Sequence, residues 1–297
     1  MIAVFGATGK VGGKVAAVLM ETGIPVRALV RSSEKAAPIK NKGAELVIGN
    51  LLSQDDIANT LDGCDGAFMM TPMNRSSDKY IEEEIQIGRN YGAALKDSDV
   101  GHAVYMSVFG VRGNTGIPFY ESKVVVEDSI ASSGVDVTFL RPTFFMENLY
   151  SQIPIIKEHG MISLPLHPDL QLNMVATEDI AYAAVQSLIR GGRGEMEAYD
   201  ILGPREYTMT EVAEIFSKAI DKPVRYQEAS FDEVEQRLLQ TGMSPIAAKE
   251  YLKMFEVYNR WNIEGDRYRV YEEFNFEPTT LETIVNSIAG ALVAETR

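Results

Sequence analysis

A doubly wound parallel α/β sheet carrying a smaller, mainly helical lobe toward the C-terminus is the fold class that this sequence predicts. Three observations support it. The glycine-rich stretch Gly6-Ala7-Thr8-Gly9-Lys10-Val11-Gly12 stands directly after an apolar run and directly before a helical pattern. Strand-like runs and helical patterns then alternate through the first half of the chain. Those runs are almost continuously apolar, which suits parallel strands covered by helices on both faces.

The elements follow in order. Residues 2–5 read as the first strand, and Val11, Val15, Val18 and Leu19 recur at helical spacing to predict a helix over 11–22. A second strand at 26–30 closes the first βαβ unit. Further strands are expected at 45–48, 66–70, 102–107 and 135–140, with helices near 34–42, 53–61, 78–96 and 119–132. After Pro142 the pattern loosens. The segment 144–176 mixes Phe144, Phe145, Met146 and Tyr150 with Pro165 and Pro168, as a pocket-forming excursion would. A helix from Thr177 to about 190 and a strand at 198–202 come next. Three hydroxyl residues have a carboxylate three positions on: Thr208 with Glu211, Ser230 with Glu233, and Thr279 with Glu282. Each pair marks a helix start, so the last third is expected to be mainly helical. The expected division is a dinucleotide-binding domain over 1–149 plus about 174–201, and a substrate lobe over about 150–173 plus 202–297.

Each glycine of the loop has a physical task. Gly6 lets the strand turn sharply, Gly9 lets the main chain approach a pyrophosphate, and Gly12 lets the new helix pack closely on the strand. The helix N-terminus then presents free N–H groups and a favourable dipole to the phosphates. Thr8, Lys10 and Val11 belong to the same candidate cofactor site. In a Rossmann-type sheet of this kind ligands gather at the carboxyl ends of the strands. That singles out Gly6, Arg31, Asn50, Thr71 and Ser107.

Arg31 reads as the specificity residue. A carboxylate at the end of the second strand would bind the ribose 2′-hydroxyl of NAD, whereas an arginine can pair with the 2′-phosphate of NADP. Ser32, Ser33 and Lys35 follow, and no acid stands before Glu34. NADP(H) is therefore the preferred cofactor and NAD(H) the alternative. The position also suits a plain solvated arginine.

The bulk composition removes other classes. With 24% charged and 45% hydrophobic residues the 297-residue chain is ordinary for a globular protein. No apolar run reaches the length of a membrane span, and the first strand begins at residue 2, so a cytoplasmic location is expected. Cys64 stands alone, and His102, His159 and His167 lack metal-ligand spacing, so neither disulfide nor metal is expected. A formal charge of −14 argues against direct nucleic-acid binding.

Taken in order, FGATGKVG, VRSSEKA, IGNLLSQDDI, YESKVVVE, LRPTFFMENL and GPREYTMTEVAEIF resemble the NmrA-like branch of the atypical short-chain dehydrogenase/reductase family over almost the whole chain. The resemblance implies an N-terminal sheet that holds NAD(P)H and a C-terminal lobe that closes over a substrate cleft. It places Asn50 and Leu51 near the adenine, where the family commonly has Gly-Asp-Leu, and Thr71 and Pro72 along the cofactor. The last two also fit a strand-ending turn. Pro142 joins the cofactor site, and Glu147 and Asn148 match a segment that orients the cofactor loop.

The resemblance makes Lys123 the central catalytic candidate and also a cofactor-binding one, a lysine that contacts the nicotinamide ribose or relays a proton. Many members of the wider family use Tyr-x-x-x-Lys, but the residue four before Lys123 is Phe119. Tyr120 stands three before it, on the same helical face. Ser107 matches the serine beside the nicotinamide, and it also fits ordinary turn chemistry. The spacing of Lys123 equally suits a snorkelling surface lysine. Met73, Phe144, Phe145 and Tyr150 are the candidate pocket for a small apolar or aromatic substrate.

Three functions are compatible with these residues. The leading one is an NADPH-dependent reductase passing hydride to a quinone-like or other conjugated acceptor, with the proton from Lys123, Tyr120 or water. The second is a non-enzymatic NADP(H) sensor acting through a protein partner. The third is a nucleotide-sugar epimerase or dehydratase, whose chemistry leans on the tyrosine that Phe119 replaces.

Overall fold

The computed structural model describes residues 1–113, 115–260, 265–266 and 268–294, so residues 295–297 of the expected second lobe lie outside it. Its strands are β1 (Ile2–Phe5), β2 (Val26–Val30), β3 (Glu45–Ile48), β4 (Gly66–Met70), β5 (His102–Met106) and β6 (Asp136–Pro142). The short β7 (Phe144–Phe145), β8 (Met161–Ile162) and β9 (Leu172–Val175) follow, then β10 (Glu197–Ile201), β11 (Glu206–Tyr207) and β12 (Arg225–Tyr226). The helices of the first half are α1 (Lys10–Glu21), α2 (Ala37–Asn41), α3 (Gln54–Leu61), α4 (Tyr80–Lys96) and α5 (Pro118–Ala131). Later come α6 (Ile153–His159), α7 (Thr177–Arg190), α8 (Met209–Ile220), α9 (Phe231–Gln240), α10 (Pro245–Arg260), α11 (Arg269–Phe274) and α12 (Leu281–Ala294). No described helix is long and apolar enough to cross a membrane.

Seven strands pair in parallel in the order β10-β6-β5-β4-β1-β2-β3. Ile2 of β1 is in register with Val26 on one side and Gly66 on the other. The chain therefore winds outward from β1 to β3, then returns to β4 and winds the other way. The carboxyl ends of β1 and β4 flank the switch point, where such sheets bind ligands.

Both faces of the sheet are buried, which explains the unbroken apolar strands. Val4, Phe68 and Val104 pack under α1 and α7, against Val11, Val15, Leu19, Ile180 and Ala184. Their neighbours Phe5, Met69 and Tyr105 face the opposite layer, against Ile57, Ile87, Tyr91 and Ile130 of α3, α4 and α5. Each fully buried Val, Leu, Ile, Phe or Met among them contributes about 1.5–3 kcal/mol. A further core, including Leu149, Leu172, Phe216, Phe255 and Val285, lies under the helices of the last third.

Two close approaches position the site. Gly6 has φ +75°, and a Cβ on Gly12 would collide with the Gly6 carbonyl, so the turn and the helix behind it both need glycine. On the other layer, a Cβ on Gly88 would stand 2.8 Å from Val126, and one on Gly92 would strike the Ser129 carbonyl. Glycine thus brings α4 against α5.

The segment 144–176 is more ordered than a loose excursion. β7 pairs with β9, β9 with β11, and a 3₁₀ turn over Met146–Gln152 leads into α6. Capping boxes form at Thr208/Glu211 and Ser230/Glu233. The third expected start moves by one residue: Thr280 Oγ1 accepts from Thr283 N at 3.3 Å. Thr279 instead gives its N–H (2.9 Å) and hydroxyl (2.6 Å) to the buried Asp179 carboxylate of α7, a tertiary partner that outcompetes the local cap.

Candidate functional site

A cavity of about 210 Å³ opens beside the switch point. Thr71 follows β4, Ser107 follows β5, and Pro142 ends β6; all three line it. Lys123 and Phe119 enter from α5, Tyr80 and Glu84 from α4, and Tyr251, Met254 and Tyr258 from α10. Met73, Phe144, Phe145 and Asn148 line it too, with Met106, Val108 and Thr143 beside the strand ends. Two wider grooves lie elsewhere, one between Thr115–Ile117 and α10, the other between Pro204 and α11. Neither includes a strand end of the switch point, and none of the three includes a residue of the glycine loop.

Lys123 is the centre of a buried polar cluster, not a surface residue. Its Nζ stands 2.6 Å from Glu84 Oε1, donates to Thr71 Oγ1 at 2.6 Å and reaches the Tyr105 hydroxyl at 3.5 Å. Thr71 Oγ1 in turn donates to Glu84 at 2.6 Å, and Ser122 Oγ lies 2.5 Å from the other carboxylate oxygen. Burial alone would lower the Lys123 pKa, but the Glu84 carboxylate overrides it and holds the ammonium well above its ordinary value. Burial pushes the neighbouring Tyr105 phenol up to about 12. The cluster therefore keeps a permanent cation in the cavity wall, and Lys123 is poorly suited to give up a proton near neutral pH.

Glu84 escaped sequence reasoning, although its signal was present. It shares a helical stripe with Tyr80, Ile87, Gly88 and Tyr91, so a carboxylate stood on a face otherwise destined for burial. The stripe of Tyr251, Met254 and Tyr258 on α10 was missed in the same way.

Ser107 is buried, and its Oγ has no hydrogen-bond partner among the described residues. A hydroxyl left unpaired at a cavity wall is a vacant donor and acceptor for a bound group. Phe119 puts a ring where the wider family carries its tyrosine, with Lys123 Nζ 5.5 Å from the ring centroid. Tyr120 does not replace it. It is 1% exposed, packs with Ile117 and Val257, lies outside the cavity wall, and bonds to Tyr258; burial pushes its phenol up to about 12. One residue of helical rotation separates the two outcomes: position 119 faces the sheet edge with Lys123, and position 120 faces α10.

The glycine-loop candidates stand where β1 passes into α1, outside the cavity wall. Thr8, Gly9 and Lys10 are exposed at the start of α1, with Val11 buried behind them. Lys10 Nζ donates to the Glu147 carbonyl at 3.1 Å, and the Glu147 carboxylate accepts from Thr177 N at 2.9 Å and from its hydroxyl. This ties the 3₁₀ turn to both α1 and α7. Tyr150 leaves the expected substrate pocket: it is 39% exposed, with its ring centroid 6.0 Å from Lys10 Nζ. The 3₁₀ winding of 146–152 turns it toward the glycine loop. Pro72 is exposed and outside the cavity wall.

Arg31 is exposed just past β2 and forms no ion pair among the described residues. Asn50 is exposed, and its Oδ1 accepts from Leu52 N at 3.0 Å, so its side chain shapes the loop. Leu51 is half-buried, and its carbonyl accepts from Asn90 at 3.1 Å. Among the described residues no His, Cys, Asp and Glu cluster could hold a metal ion.

The sequence signature of the NmrA-like family matches residues 1–285. The chain belongs to that family. An NmrA-like relative from Xenophilus azovorans, an NAD(P)H azoreductase, is 30% identical over 243 residues, covering 82% of each chain. Among solved structures, the NADPH-dependent quinone oxidoreductase of Escherichia coli, complexed with NADPH, superimposes with a TM-score of 0.82 at 23% identity, covering 97% of this chain and 99% of that one. NmrA itself, a negative transcriptional regulator solved with NAD, gives 0.79 at 18% identity, covering 98% and 95%. The seven-stranded Rossmann-like sheet is thus the NmrA-like fold.

Proposed function

We propose that the protein is an NADPH-dependent reductase that transfers hydride to a small quinone-like or otherwise conjugated acceptor. The observation that carries this reading is the pairing, in one cavity at the switch point, of a buried Lys123 cation with the unpartnered Ser107 hydroxyl. The reductase names of the azoreductase and quinone oxidoreductase relatives support it. Division into a cofactor domain and a substrate lobe belongs to the same proposal.

The residues fit the cofactor. The exposed backbone of Thr8, Gly9 and Lys10 at the N-terminus of α1 suits a pyrophosphate, and the unpaired Arg31 suits a 2′-phosphate. A bound nicotinamide supplies the hydride. Ser107 then positions the acceptor or a water by hydrogen bonding, and Lys123 provides a fixed positive charge where negative charge develops on the acceptor. Because Glu84 holds Lys123 protonated, the proton comes from water rather than from the ammonium. Phe119 removes the tyrosine on which epimerase or dehydratase chemistry depends.

The test is NADPH oxidation by the purified protein against a panel of quinones, azo dyes and enones. Turnover with at least one class is expected. Tight NADPH binding with no turnover on any acceptor would overturn the reductase and leave the sensor reading, which the absence of a hydroxyl at Phe119 favours.

A further inference from the structure

The stretch between β4 and α4 carries a cation that hydride transfer does not require. Arg75 is exposed and forms no ion pair among the described residues. Its guanidinium carbon lies 5.5 Å from the centroid of the Tyr251 ring, and Tyr251 lines the cavity. The surrounding chain is anchored. Ser244 N donates to the Arg75 carbonyl at 2.8 Å, the Asn74 amide donates to Glu83 at 2.8 Å, and the Ser77 hydroxyl donates to the other Glu83 oxygen at 2.6 Å. The Glu83 carboxylate is thereby engaged by neutral donors and makes no ion pair with Arg75.

A second cation stands near. Lys10 Nζ sits on the Glu147 carbonyl, one residue from the cavity-lining Asn148. Partial burial of its ammonium lowers its pKa, the Glu147 charge opposes the fall, and the Arg75 charge adds to it, as expected of two like charges that feel each other. Deeper in the wall, Lys123 is paired with Glu84. Arg75 and Lys10 are thus two cations close to the cavity on a protein whose formal charge is −14, with the Glu83 and Glu147 carboxylates beside them.

We propose that Arg75 is a specificity-determining residue that binds an anionic substituent of the acceptor, a sulfonate, carboxylate or phosphate, while the aromatic wall takes the acceptor's ring. The identity of the ligand as an acceptor rests on the reductase reading; the anion preference does not. Arginine suits this role because its planar fork can pair with such a group through two parallel hydrogen bonds. The overall charge would repel an anion, so a preference for one has no general electrostatic origin.

The test compares binding of anthraquinone sulfonate and its neutral hydroxymethyl analogue to the protein saturated with NADP⁺, so that no turnover intervenes. Calorimetry on the parent should show the sulfonate bound roughly tenfold more tightly, the scale of one charge-assisted contact. Arg75→Gln should abolish that preference and leave the neutral ligand unchanged, and Arg75→Lys should restore part of it. Equal affinities in the parent, or equal loss for both ligands in Arg75→Gln, would overturn the proposal. Weaker NADP⁺ binding in Arg75→Gln would overturn it too, assigning the residue to the cofactor phosphates. Failure of NADPH oxidation with every quinone would sink the reductase reading while this binding comparison still decides the anion site.

Discussion

Glu84 and Lys123 face each other at 2.6 Å with 4% and 7% of their side chains exposed, a buried ion pair joining α4 to α5. Removing one member leaves the other charged group without a counter-charge in the interior, which typically costs about 3–5 kcal/mol. Glu84→Gln and Lys123→Met should each lower stability on that scale in urea denaturation. The double variant should lose much less than the sum. Single variants as stable as the parent would show that water reaches the pair.

Lys123 should act as a fixed charge and not as a proton donor. Lys123→Met should cut turnover by about a hundredfold, the scale of a lost electrostatic stabiliser, with Lys123→Arg retaining part of the rate. Because Glu84 holds the ammonium pKa above its ordinary value, the parent's rate should show no titration of this group across the neutral range. An ionisation near neutrality that disappears in Lys123→Arg would refute the fixed-charge role.

Ser107 and Tyr120 should separate cleanly. Ser107→Ala removes a hydroxyl at the cavity wall and should slow turnover by roughly 10²–10³, the scale on which one positioned donor is lost. Tyr120→Phe, which alters a phenol packed outside the wall, should leave the acceptor KM and kcat nearly unchanged. Steady-state kinetics with equal losses in both would place Tyr120 in the site after all.

At the cofactor end, Gly9→Asp should abolish NADPH binding in a folded protein by putting a negative charge at the start of α1. Arg31→Ala should weaken NADPH by about tenfold to a hundredfold, equivalent to roughly 1.5–3 kcal/mol, and spare NADH. Fluorescence titration with both cofactors checks this. Equal losses would separate Arg31 from the 2′-phosphate.

Asp179 makes a pH prediction. Burial raises its pKa from 3.8 to about 6, with the Thr279 hydrogen bonds opposing the rise. The folded protein therefore binds a proton more tightly than the unfolded chain. Asp179 favours folding most below its unfolded pKa, and that contribution is lost as pH rises through about 6, each tenfold difference in proton affinity being worth about 1.4 kcal/mol. Asp179→Asn should be at least as stable as the parent at neutral pH, and the difference between the two should shrink toward acid. Urea denaturation across the acid and neutral range checks this, and a variant markedly weaker at neutral pH would contradict it.

Much of the first half was legible because its signals are local. The strand after Met1, the glycine turn and α1 follow from adjacent residues, and the apolar strands imply helices on both faces without reference to the rest of the chain. The capping boxes at Thr208 and Ser230 are likewise complete within four residues. Thr279 failed as a cap because Asp179, one hundred positions away, offers its hydroxyl and N–H a buried carboxylate.

What the residues determined by themselves was the fold class, the family and the set of strand ends that meet at the switch point. Only the tertiary structure decided which polar groups share one cavity. Gly88 and Gly92 let α4 approach α5 until Glu84 reached Lys123, turning a lysine that spacing could not tell from a surface residue into a buried, paired cation. The same packing turned Tyr120 toward α10 and out of the wall, and the 3₁₀ winding of 146–152 carried Tyr150 over to Lys10. The physical reason is common to all three. Helical periodicity fixes which residues share a face, but the partner against which that face is buried, and so the charge it meets, depends on contacts between segments far apart in the chain.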